Sequence, residues 1–160
     1  MKKFSFLLIS LLLLSCSNKT DVKIIGINLD NPCVELVKQI ESKGFKTVIN
    51  YKQEEISSDE NITISFKGEY LGEDEVNISV YGKKNGHYTS GMLTKLFTDD
   101  SNLAKQFFRK ICRTIKKEHD GFEEEKISLN KVEYYNENGD NISINLSFGC
   151  VLVLYNLYTK

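Results

Sequence analysis

The chain has 160 residues, 21 Lys and Arg against 22 Asp and Glu, a net charge of −1 and 41% apolar residues. That length suits one ordinary domain with a real core once a leader is removed. Near-balanced charge lacks the basic excess that nucleic acid demands, and one proline with no tryptophan excludes a proline-rich linker and a tryptophan-based sugar platform.

The first element is Met1 to Cys16, MKKFSFLLISLLLLSC. Lys2 and Lys3 give a basic start, Phe4 to Leu14 form a nearly unbroken apolar run, and Ser15 precedes a cysteine. The run is too short to cross a bilayer core, which takes about 20 helical residues. It fits the apolar segment of an export signal. Leu13-Leu14-Ser15-Cys16 resembles the lipobox of bacterial lipoproteins. The resemblance implies signal cleavage between Ser15 and Cys16, diacylglycerol on the Cys16 thiol and a further acyl chain such as palmitate on the new N-terminus. Two or more chains make anchoring stable where one is marginal. Residues 1–15 are thus read as a signal peptide, 16–21 as a tether and 22–160 as one α+β domain. The expected location is the cell membrane or outer membrane, lipid-anchored and facing the periplasm. The tether Ser17 to Asp21 carries no acidic run, which by analogy with sorting signals favours the outer membrane.

With Cys16 committed to lipid, Cys33, Cys112 and Cys150 remain, an odd number for an oxidising compartment. All three fall at positions read as core-facing, and if one disulfide forms, Cys33 with Cys112 is the favoured pair.

Val22 to Leu29 is rich in β-branched residues and reads as a first strand or an extended lead-in. Asp30 or Asn31 and Pro32 then open a helix from Asn31 to Lys43, with Cys33, Leu36, Val37 and Ile40 at helical spacing. Phe45 to Tyr51 alternates as a strand, Lys52 to Glu60 is a polar loop, and in Asn61 to Lys67 the residues Ile62, Ile64 and Phe66 face one way. Val76, Ile78 and Val80 point inward on the next strand. Asn85-Gly86 is a hairpin signal, and a two-residue loop there pairs Val80 with Gly91 and Ile78 with Leu93 on the returning strand His87 to Phe97.

Thr98 to Ser101 offers caps for a second helix ending near Glu118. Ala104, Phe107, Phe108, Ile111, Cys112 and Ile115 form its apolar stripe; Lys105, Arg109, Lys110, Arg113, Lys116 and Lys117 form its opposite face. Glu123 to Glu125 read as an exit loop and Ile127 to Tyr135 as a strand. After the turn Glu137 to Asp140, Ile142 to Phe148 alternates, and Gly149 marks either a tight turn or a bulge. Cys150 to Tyr158 is apolar on both faces and should be a central strand, or one covered by helix on one side and by a partner or loop on the other. The fold class is α+β: two helices on a mainly antiparallel sheet of about seven strands. In topology this resembles a tandem repeat of a helix packed on an antiparallel sheet, as in the β-lactamase inhibitory protein architecture.

Two surfaces qualify for a partner. Cationic residues of the second helix, notably Arg109, Arg113 and Lys117, suit anionic head groups or an acidic protein, although a solvated face with dipole-matched lysines accounts for the same residues. The hairpin gathers Tyr81, His87 and Tyr88, tyrosine offering large contact area at small entropy cost, although it also fills half-buried strands. His119 beside Asp120 suits a helix end through its partial charge. No catalytic, metal or cofactor motif occurs: G-x-S-x-G, H-E-x-x-H and phosphate-loop patterns are absent, and Glu69 with Glu73 to Glu75 lacks the spacing of a calcium loop. The expectation is a non-catalytic envelope lipoprotein that binds an envelope protein as an accessory or inhibitor, with no nucleic acid involved. The alternatives are a small envelope hydrolase or a passive ligand-binding lipoprotein.

Overall fold

A computed structural model describes residues 22–48, 61, 63–83, 87–98 and 100–158, the side chains of Lys83 and His87 excepted. The leader, the tether, the polar loop Lys52 to Glu60, the Asn85-Gly86 loop and residues 49–51 of the strand expected from Phe45 to Tyr51 lie outside the described residues.

The chain enters as a two-stranded hairpin, β1 (Lys23–Ile24) and β2 (Ile27–Asn28), in place of the single expected strand. Ile25 and Gly26 both have positive φ and turn the chain between them, while Val22, Ile24, Ile27 and Leu29 are buried. Helix α1 (Cys33–Ser42) buries the expected stripe of Cys33, Leu36, Val37 and Ile40. Pro32 stands at its N-cap, where a missing N–H costs nothing.

A short β3 (Lys46–Thr47) leads to β4 (Thr63–Tyr70), β5 (Glu73–Lys83) and β6 (His87–Leu96). Ile64, Phe66, Val76, Ile78, Val80 and Leu93 all reach the core from one face, as alternation dictates. Ile78 pairs with Leu93 and Val80 with Gly91, the expected register. Near the tip the pairing slips by one residue, from Tyr81↔Ser90 to Gly82↔Tyr88. A one-residue slip reverses which face a side chain takes. Tyr88 is therefore turned inward and is only 1% exposed.

Helix α2 (Ser101–Glu118) is started by Asp100, whose carboxylate accepts the N–H of Asn102 at 2.7 Å and of Leu103 at 3.1 Å. Its predicted stripe is buried, apart from a half-buried Cys112, and its six basic residues are exposed. Beyond it the sequence departs most from expectation. The segment expected as an exit loop and one strand is instead a hairpin, β7 (Glu123–Ser128) and β8 (Lys131–Tyr135), turning at Leu129-Asn130. The final strands are β9 (Asn141–Ser147) and β10 (Cys150–Asn156), joined by the two residues Phe148 and Gly149, both at positive φ; Gly149 thus marks a tight turn.

Among the described residues one antiparallel sheet of eight strands results, against about seven expected, in the order β3-β4-β5-β6-β10-β9-β8-β7, beside the separate β1-β2 hairpin. As expected from its two apolar faces, β10 is central, paired with both β6 and β9. The fold is α+β, and the core lies between the helices and one sheet face. The opposite face carries Ser65, Ser79, Met92, Leu154 and Ser143 in one cross-strand row.

The molecule has two distinct ends. Lys23 meets the C-terminal end of α2 at His119. The Phe148-Gly149 turn lies at the other end, where the Phe97 N–H donates to the Gly149 carbonyl at 2.9 Å just before α2 begins. The Leu146 N–H binds the Asn130 carbonyl at 2.8 Å, bringing the Leu129 turn to that end too. Eighteen helical residues set the ends about 27 Å apart.

Candidate functional site

The β7-β8 hairpin, which the sequence does not announce, builds the larger of two concavities among the described residues. It packs beside α2: the Tyr134 hydroxyl donates to the Cys112 carbonyl at 3.2 Å, and the Lys116 ammonium pairs with Glu124 at 2.8 Å. Between helix and hairpin runs a groove of about 660 Å³, within the range of ligand clefts. Phe108, Cys112, Val132 and Leu146 supply apolar lining, and Leu129, 84% exposed, stands at its end. Lys105, Arg109 and Arg113 line the helix side and Lys126 the strand side. Among the described residues, no hydrogen bond or salt bridge engages these four side chains. Glu124, the acidic residue of the lining, is matched by Lys116.

The spacing follows from the helix. Lys105, Arg109 and Arg113 recur every four residues and stand about 6 Å apart along the axis, one above another. Arginine offers two parallel N–H donors to a carboxylate or phosphate, and an apolar floor strengthens that interaction by excluding water. The groove can therefore hold a multiply anionic group attached to an apolar body. Burial, and next the charge of Glu124, push the Cys112 thiol up to about 11. Cys112 is thus mainly a neutral, apolar wall at pH 7.

Of the residues singled out in the sequence, Arg109 and Arg113 meet in this groove, and Lys117 continues their row beyond it. Tyr81 is elsewhere, half-buried on the open sheet face, and the His87 side chain lies outside the described residues. Tyr88 is corrected from surface to core, and burial pushes the neighbouring core thiol of Cys33 up to about 11. Cys33, Cys112 and Cys150 are all free, so the Cys33–Cys112 pair does not form. Cys33 sits in the core, Cys112 in the groove wall. Cys150 was expected in the core but, opposite exposed Leu96, belongs to the open face.

His119 also differs from expectation. It is buried, its Nδ1 lying 2.9 Å from the Ile115 carbonyl while Nε2 accepts the Lys23 N–H at 2.8 Å. With one nitrogen accepting and the other donating to Ile115, the ring is a neutral clasp and not a charge at a helix end. Beside it Glu118 accepts the Gly26 N–H among Lys43, Lys23 and Lys117, yet burial raises its carboxyl above the usual value.

A second depression, of about 580 Å³, holds Glu73, Asp74, Glu75, Lys67 and Lys95. Both of its lysines are engaged: Lys67 pairs with Glu75 at 2.7 Å, and buried Lys95 donates to the Asp74 carbonyl at 2.6 Å and its carboxylate at 3.2 Å. Among the described residues, no group of three or more His, Cys, Asp or Glu side chains is placed to hold a metal. No described helix is long and apolar enough to cross a membrane.

No protein-family profile, curated protein or solved structure matches the chain.

Proposed function

We propose that the protein is a membrane-anchored cell-envelope lipoprotein, held by lipid on Cys16, whose domain works by docking another protein as an accessory or inhibitor. The observation that carries this reading is the cationic set Lys105, Arg109, Arg113 and Lys126, unpaired among the described residues, around an apolar groove. Exposed cations beside an apolar floor give an acidic partner both orientation and affinity. Exposed Leu129 and Phe148 extend the contact area at the end farthest from Lys23.

A tandem reading of the domain accompanies this proposal: α1 followed by β3 to β6, then α2 followed by β7 to β10. Its support is the mirrored strand order about the β6-β10 pair. A passive ligand-binding role is the second reading, and the groove volume favours it.

The test is a photo-crosslinking residue in place of Leu129 in the intact lipoprotein in cells. One discrete protein adduct, lost when Arg109→Glu and Arg113→Glu are added, is the expected result. No adduct, or one indifferent to those charges, overturns protein docking at this groove.

A further inference from the structure

β7 is an edge strand, and all six of its residues are exposed. An edge strand offers a row of N–H and C=O groups to another chain. The groove runs beside it, and the two walls have matching periods. Alternate residues on a strand lie about 6.7 Å apart, close to the 6 Å or so between successive cations at positions 105, 109 and 113.

Register divides the charges of β7 between two faces. Glu124 pairs with Tyr134 and Lys126 with Val132, and both face the groove. Glu123 and Glu125 alternate to the opposite face, where Glu123 pairs in register with Tyr135 and its charge pushes the Tyr135 hydroxyl up. On the groove face Glu124 is already matched by Lys116, leaving cations in excess. On the other face carboxylates are in excess.

We propose that β7 receives an extended segment of a partner protein as a ninth strand. Its acidic residues recur at every second position toward Lys105, Arg109 and Arg113, and basic or neutral residues between them face Glu123 and Glu125. This rests on the groove being a protein-docking site and names the chemistry of what docks. Main-chain pairing supplies affinity and the alternating charges set register. A segment with its acids in an uninterrupted run would place half of them against Glu123 and Glu125 and bind less well.

The experiment uses the full-length lipoprotein in detergent and a nine-residue capped peptide alternating glutamate with lysine, observed by NMR up to millimolar peptide. Expected are shifts and slowed amide exchange along β7, with binding at least about tenfold weaker for a peptide of the same composition in two charge blocks. N-methylation of one alternate set of peptide amides should abolish binding, and methylation of the other set should spare it. Arg109→Glu with Arg113→Glu, both exposed and harmless to the core, should remove it. If both methylated peptides bind alike while the arginine dependence persists, strand addition is wrong and groove docking stands. If the arginine variant binds as tightly as the parent, both fail. Absence of binding at millimolar peptide, or equal affinity for an oligothymidylate of equal negative charge, overturns the strand proposal.

Discussion

The backbone N–H of Lys23 donates to Nε2 of His119 at 2.8 Å, across 96 positions of sequence. One imidazole thereby closes the end of α2 and fixes the first hairpin against it. Replacing His119 by Ala removes both ring hydrogen bonds and leaves the Lys23 N–H unpaired in a half-buried site. The expected loss is about 2–3 kcal/mol in denaturant unfolding. A loss below about 0.5 kcal/mol would mean that the hairpin is held by its apolar side chains alone.

Phe107 is fully buried and packs against Phe97 with ring centroids 5.7 Å apart. Phe107→Ala should cost about 3–5 kcal/mol by opening a cavity between helix and sheet. A cost under about 1 kcal/mol would place the stripe of α2 at a surface.

Gly149 and Gly72 share a positive φ, 75° and 81°, but not their surroundings. A Cβ on Gly149 would stand 2.5 Å from the Phe97 carbonyl oxygen, whereas one on Gly72 meets nothing within 4 Å. Gly72→Ala should therefore cost roughly 1 kcal/mol, the left-handed penalty alone. Gly149→Ala should cost distinctly more, because backbone must move. Equal melting temperatures for the two variants would contradict this.

Glu118 gives a pH signature. Burial raises its carboxyl above the ordinary value of 4.5, outweighing the Gly26 N–H and the three lysines that lower it. A group raised in the folded state contributes stability that is present at low pH and lost as pH rises through its folded value. The melting temperature of the parent, relative to Glu118→Gln, should accordingly decline between pH 4.5 and neutrality. The opposite slope would show that the lysines dominate.

The anchor has its own test. Cys16→Ala should release the protein from membranes and abolish incorporation of labelled fatty acid. An unchanged membrane fraction would refute lipid attachment at Cys16.

What could be read from the sequence was what strict alternation encodes. Ile78 opposite Leu93, the stripe of α2 from Ala104 to Ile115, and the central place of β10 all follow from side-chain period and burial. The misreadings have local causes. Leu129-Asn130 turns the chain without glycine or proline, so β7 and β8 look like a loop and one strand, and the groove they form was hidden. Ile25, a β-branched residue, takes a left-handed turn that its type rarely adopts, so the first hairpin looked like one strand. The bulge that turns Tyr88 inward leaves no mark in the alternation. Arg109 and Arg113 were legible because helical spacing aligns them with Lys105; Lys126 was not, because its neighbour across the groove is distant in sequence.

The central place of β10 also governs timing. Strands β3 to β6 and β7 to β9 can each pair among themselves, but among the described residues strand pairing joins the two groups only through residues 150–156. Until those residues have been synthesised, the β6 and β9 edges that will flank them stand apart and unpaired. Folding therefore waits for late-made chain, since distant pairings form slowly.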